Sequence, residues 1–173
     1  MKEILVAVAG YNRDANLALV EILSKQDEAL LREDQGSFYK SILATLEHLA
    51  GAELSWLRRY GSFFSYPVLA RSPLLSSEPE AVSARIKGGP ASLYKVLAEL
   101  DALFVAFAET LDEASLGTRV KFKNIKGVEL ERVYWNTIFH VLNHGTHHRG
   151  EISALLDRRG IENDIAGFNK YMK

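Results

Sequence analysis

All four prolines of this 173-residue chain, Pro67, Pro73, Pro79 and Pro90, fall between residues 67 and 90. Proline lacks the backbone donor that a helix needs, and its ring clashes with the preceding turn. Everything outside that window is therefore free to run as uninterrupted helix. Ile4, Val8, Tyr11, Ala15, Leu19 and Ile22 recur at helical intervals and predict a first helix over 3–24, with a polar connector over 25–35. A second helix is expected over 37–60, with Ser37 as its N-cap and Phe38, Ile42, Leu46 or Leu49, and Trp56 turned inward. Residues 61–89 make a long connection rich in Ser, Pro and aromatics, with a short helix around 78–86. Pro90 follows Gly88-Gly89 and suits the first position of a third helix. That helix carries Leu93, Val96, Leu97, Leu100, Phe104, Phe107 and Leu111 as a broad apolar stripe.

The period then changes. Val120 and Phe122 alternate with lysines, 124–127 offers a turn, and Val128 and Leu130 alternate with glutamates, which predicts a small β-hairpin. A fourth long helix is expected over 130–159, stopped by Gly160, with a short terminal helix over 165–172. Together these elements make a single all-α domain spanning 1–173: a four-helix bundle with a small β-hairpin before the last long helix and a short C-terminal helix.

A net charge of −1 gives no general attraction to nucleic acid or to an anionic membrane surface. No apolar run approaches the roughly 20 residues of a membrane span. The run Ile4–Ala9 is short for a signal peptide, and Glu3 sits where positive charge should dominate, so no cleaved leader is expected. The chain has no cysteine. That removes disulfides, zinc ribbons, iron–sulfur clusters and any protein thiol nucleophile, and it is compatible with the cytoplasmic location expected here.

Four of the five histidines, His140, His144, His147 and His148, are crowded into Phe139–Leu155; the fifth is His48. Residues four apart on a helix lie one above the other. Two imidazoles so spaced can reach one divalent ion, and both His140/His144 and His144/His148 qualify. A third ligand must come from elsewhere, and His48 is the remaining histidine. Its helical neighbours Ser41, Ala44, Thr45, Ala52 and Ser55 are small, as beside a pocket. His140 can act as an outer neighbour or a competing ligand. His147 points away from His148 and can bond Glu151 or another helix. Glu151 can orient a ligand imidazole or cap a neighbouring helix. Tyr11 and Asn16 are pocket candidates on the first helix, and Arg149 reads as a structural or interface arginine. The Trp56–Tyr66 aromatics read as cover for the core or for a dimer face. The Glu-x-x-His pattern of di-iron bundles, HExxH and a Gly-rich phosphate loop are all absent from the sequence.

Three stretches resemble the DinB/YfiT-like family of metal-dependent four-helix-bundle proteins. Tyr11-Asn12-x-x-Ala15-Asn16 is similar to its first-helix motif, with Asp14 in place of the usual Trp. Gly36-Ser37-Phe38 through Leu46-Glu47-His48-Leu49 to Trp56-Leu57-Arg58-Arg59-Tyr60 is similar to its second-helix signature, with Glu47 where Asn is common. Asn143-His144-x-Thr146-His147-His148-Arg149-Gly150-Glu151 is similar to its last motif, with Glu151 in place of Gln. The likeness spans nearly the whole chain. It implies a bundle with long crossover connections, commonly a homodimer, and a nickel or zinc ion held by His48, His144 and His148. It also implies relatives that include thiol-dependent transferases and isomerases using low-molecular-weight thiols.

Two functions follow as expectations. One is a metal-dependent enzyme, a thiol-dependent transferase or hydrolase acting on small electrophilic molecules. Lacking cysteine, it must take any thiol as a cosubstrate. The other is a non-catalytic metal-binding or damage/stress-response protein of the same fold. That protein would have a closed site, completed by a fourth protein ligand such as Glu47, Glu151 or His140.

Overall fold

The computed structural model describes residues 1–165 and 167–171. Four long helices carry it: α1 (Lys2–Leu23), α3 (Ile42–Phe63), α7 (Pro90–Glu109) and α9 (Tyr134–Asp157). Short elements fill the connections: α2 (Glu28–Arg32), α4 (Pro67–Ala70), α5 (Pro73–Ser76), α6 (Pro79–Ile86) and α8 (Glu113–Leu116). Strands β1 (Arg119–Lys123) and β2 (Glu129–Val133) pair antiparallel, with Val120 opposite Arg132 and Phe122 opposite Leu130. The expected all-α bundle with one hairpin is what the chain forms.

Around the core each long helix packs on two others, in the ring order α1, α7, α3, α9. Cross-helix bonds give the directions. Asn12 bonds the Leu142 carbonyl, and Asn16, further along α1, bonds Arg149, further along α9, so the two helices are parallel. His48 meets His144 while Tyr60 meets Thr137, so α3 runs antiparallel to α9. Asn16 bonds Asp101 at mid-helix, and the N-terminus bonds Glu113 just beyond α7, so α7 is antiparallel to α1. It follows that α3 and α7, consecutive long helices, are parallel neighbours. A 22-residue α3 is about 33 Å long at 1.5 Å per residue, and the chain must cover that length again before α7 begins. Residues 64–89 do so as a proline-started staircase of short helices: Pro67, Pro73, Pro79 and Pro90 each stand at a helix's first turn, where their missing N–H is harmless.

Several boundaries differ from the sequence expectation. The connector expected over 25–35 contains α2. Ser37 does not cap α3. Gln35 N–H bonds the Lys40 carbonyl at 2.7 Å and Lys40 N–H bonds the Ser37 carbonyl at 3.0 Å, a tight turn that places Lys40 at φ 73. The helix starts after it, capped by Ser41, whose Oγ accepts from Ala44 N–H at 3.1 Å. Phe38, expected inward, sits on that turn and is 85% exposed. β2 extends to Val133, so α9 starts four residues later than expected. Of the terminal helix expected over 165–172, Asn169–Tyr171 forms a 3₁₀ turn, and Ala166 and Met172 lie outside the described residues. The buried stripe of α1 is Leu5, Ala9, Asn12, Ala15, Asn16, Leu19 and Leu23, one step round from the one expected, and Ile4 faces solvent. Two asparagines point inward, and a purely apolar count skips them.

The aromatic segment closes one end of the core. Tyr60 is fully buried, stacks on Phe107 with centroids 5.1 Å apart, and donates to the Thr137 carbonyl at 2.9 Å.

Replacing Ser41 with Ala should cost about 1 kcal/mol of stability through loss of the cap, whereas Ser37→Ala should cost much less. Urea midpoints of the two variants, measured side by side, check where α3 begins.

Candidate metal centre

Helix α9 presents His144 and His148 one turn apart, and α3 presents His48 from across the antiparallel seam. Their Nε2 atoms converge: His48 Nε2 and His148 Nε2 each lie 3.0 Å from His144 Nε2. Tyr39 Oη lies 2.9 Å from His48 Nε2, and its ring stacks on the His48 ring at 4.2 Å. A ring nitrogen carries either one hydrogen or one in-plane lone pair. His144 Nε2 cannot satisfy two such neighbours, nor can His48 Nε2 satisfy both His144 and Tyr39. A metal ion bound by all three would resolve the conflict. Two nitrogens about 2.0–2.1 Å from one ion lie about 2.9 Å apart at a right angle and about 3.3 Å apart at the tetrahedral angle. The observed spacing therefore suits a divalent ion, and the three histidines form a group able to hold one.

Electrostatics agree. Burial, then the neighbouring His148, holds the His48 imidazole below its ordinary value. Burial, then His148 and His48, pushes His144 down to about 4. Both are neutral near pH 7, the form that binds metal. His148 is buried, and its Nδ1–H donates to Glu151 Oε2 at 3.0 Å. That bond fixes the tautomer and leaves the Nε2 lone pair facing the site, the arrangement usual behind metal-bound imidazoles. Burial, then the Glu151 charge, raises the Tyr39 phenol, so Tyr39 Oη keeps its proton.

Beneath the histidines lies a buried polar network. Arg149 Nη1 donates to Asn16 Oδ1 at 3.0 Å, and Nη2 donates to Asn12 Oδ1 and to Thr146 Oγ1. Asn16 Nδ2 donates to both Asp101 oxygens at 2.9 and 3.1 Å. Asn12 Nδ2 donates to the Leu142 carbonyl at 2.9 Å. Glu53 lies buried beside Asp101. One cation thus lies near two carboxyl groups in the buried interior. Burial, then Asp101, raises Glu53 well above its usual range, and burial raises Asp101 to about 7. Both carboxyl groups are thus pushed towards the protonated form, and both lie close enough to Arg149 to feel its charge. A cavity of about 10 Å³, room for about one water, lies among Asn16, Glu53, Asp101, His144 and Arg149.

A sequence model of the DinB family matches residues 1–173. The chain belongs to the DinB family. It is 23% identical over 167 residues to the curated Protein DinB of Bacillus subtilis (strain 168), covering 94% of this chain and 90% of that protein. No solved structure matches it.

Within this DinB-family chain, the other sequence candidates fall outside the triad. His140 is exposed, 6.1 Å from the His144 ring, and meets the edge of Trp56. His147 is exposed with its ring against His148, and it groups with His148 and Glu151 on the far side of the His148 ring. Tyr11 packs on the Arg149 guanidinium at 5.3 Å. Asn16 belongs to the buried network. Arg149, read as structural or at an interface, is the network's centre.

Sequence reasoning missed Tyr39, Glu53 and Asp101. The two carboxylates had a signal: Glu53 lies four residues from Leu49 and from Leu57, and Asp101 four from Leu97, so each interrupts a core stripe. Tyr39 had none, because its position depends on the turn that precedes α3.

Arg149→Met should destabilise the fold by about 3–5 kcal/mol, the usual cost of stripping one partner from a buried charge network; denaturant unfolding checks it. The folded-state value of Asp101 lies above its ordinary 3.8, so its contribution to stability is present at low pH and is lost as pH rises through about 7. Asp101→Asn cannot ionise, and it should gain on the parent protein between about pH 5 and about pH 8, as read from urea midpoints at both.

Proposed function

We propose that this protein is a metal-dependent enzyme in which His48, His144 and His148 hold nickel or zinc. It would act as a thiol-dependent transferase or hydrolase on small electrophilic molecules. The observation that carries this reading is the incomplete ligand set. Among the described residues no further histidine or carboxylate joins the three Nε2 atoms, and the neighbouring Tyr39 Oη keeps its proton. Glu151 is turned to the opposite side of His148, His140 is a ring too far, and Glu47 lines a groove beside His48. Catalytic sites of this kind keep a position for water or substrate, whereas structural sites are closed by protein. That favours an enzyme over a non-catalytic metal-binding or stress-response role.

A divalent ion bound there supplies Lewis acidity, which lets a thiol or water act as a nucleophile near neutral pH. The chain's own groups do the rest. Glu151 holds the proton on His148 Nδ1. Tyr39 covers the outer side of His48 and keeps a hydroxyl within hydrogen-bonding distance of the site, placed to orient an incoming ligand. With no cysteine in the chain, a nucleophilic thiol arrives as a small cosubstrate.

Elemental analysis of the untagged protein beside His144→Ala/His148→Ala should find near-stoichiometric zinc or nickel in the parent and none in the variant. Metal-dependent turnover is then expected with some pair from a panel of thiols and electrophiles. Metal without turnover across the panel would move the reading to the non-catalytic role, and no metal in either protein would sink both. Glu151→Ala should weaken metal affinity roughly 10- to 100-fold with the fold intact, as measured by chelator competition.

A further inference from the structure

Beside His48 the surface opens into a groove of about 510 Å³ between α3 and α6, lined along one face of α3 by His48, Gly51, Ser55 and Arg58 and across it by Ser83 and Lys87. Three observations mark it as a place for a ligand. The first is space held open inside a helix. Glycine in a helix interior costs roughly 0.5–1 kcal/mol against alanine, and a Cβ at Gly51 would meet nothing within 4 Å. No close packing requires this glycine, and its missing side chain widens the groove next to the histidine.

The second is an unanswered cation. Arg58 Nη2 donates to the Ser77 carbonyl at 2.9 Å, which fixes the guanidinium beside the groove. Among the described residues, neither Arg58 nor Lys87 has a carboxylate within 4 Å. Glu47 is the groove's acidic residue, so the lining charge is positive on balance.

The third is length and direction. The Ser77 bond sets the start of α6 beside Arg58, so α6 runs back towards His48. His48 and Arg58 are ten residues apart on α3, about 15 Å along the axis. A groove with imidazole at one end and a fixed guanidinium at the other matches an elongated molecule, not a compact one.

We propose that this groove binds the tail of the thiol cosubstrate, and that the tail ends in a carboxylate held by the Arg58 guanidinium, with Lys87 adding positive charge towards the His48 end. The sulfur lies at the His48 end. This rests on the metal-thiol reading above and extends it from any small thiol to an elongated acidic one. An anion at Arg58 gives the guanidinium the carboxylate partner that it lacks among the described residues, and charge-assisted contacts of this kind are among the strongest available to a small ligand.

The test uses the zinc-loaded protein and isothermal titration calorimetry with four probes: mercaptooctanoate, its neutral counterpart mercaptooctanol, the short mercaptopropionate, and octanoate, which has no thiol. Mercaptooctanoate should bind tightest. Arg58→Gln should weaken it roughly 10- to 100-fold and leave mercaptooctanol unchanged. Gly51→Leu, which fills the groove and replaces no metal ligand, should weaken both octyl thiols and spare mercaptopropionate, with zinc content unaltered in both variants. His144→Ala/His148→Ala separates the two readings. If the metal reading alone is wrong, octanoate still binds in an Arg58-dependent manner while no zinc is held and the thiol confers no gain. If zinc and thiol bind normally, but mercaptooctanoate and mercaptooctanol bind alike or Arg58→Gln changes neither, the groove proposal is overturned.

Discussion

The Arg149 guanidinium is hydrogen-bonded to two asparagines of α1 and to a threonine of its own helix, and such a buried cation is tolerable only while carboxyl groups stay near it. Asp101 arrives from α7 through Asn16, and Glu53 from α3. Each of the four long helices therefore contributes a side chain to one polar cluster at the bundle's centre, and its hydrogen bonds tie α1 to both α7 and α9. Apolar side chains would tolerate a shift of one ridge, because Leu on Leu is nearly as good after the move. Directed hydrogen bonds would not.

The histidine triad depends on that rigidity. His148 directly precedes Arg149, so the bonds that hold Arg149 also fix the rotation of α9 about its axis. His48 lies one and a half turns before Glu53 on α3. The cluster thus fixes α9, and Tyr60 of α3, donating to the Thr137 carbonyl of α9, sets the register of the two helices whose facing side chains must bring three nitrogens together. Gly145 belongs to the same arrangement: a Cβ there would stand 3.1 Å from both Arg149 Nη1 and Asn12 Nδ2, so the residue after His144 must be small for the network to close.

Much of this was legible in the sequence. Proline confinement and apolar period gave the four long helices and the hairpin, and the i, i+4 relation of His144 and His148 survives unchanged in α9. What was not legible shares one cause. Asn12 in α1, Glu53 in α3 and Asp101 in α7 interrupt apolar stripes, and a single sequence does not say which polar groups have partners inside. Tyr39 and the true start of α3 depend on the tight turn over Ser37–Lys40, with a lysine at positive φ, which ordinary propensities do not anticipate.

The triad also has a consequence for the whole chain. His48 and His144 are separated by 96 positions, so an ion gripping both is a reversible cross-link across more than half of the polypeptide, in a protein with no disulfide to do that job. Any ligand that binds the native state alone adds RT ln(1 + [L]/Kd) to its stability, about 2.7 kcal/mol at a hundredfold excess over Kd. The seam between α3 and α9 would then be tight when metal is plentiful and looser when it is scarce. Cellular lifetime of the protein would track metal supply, independently of whatever chemistry the site performs.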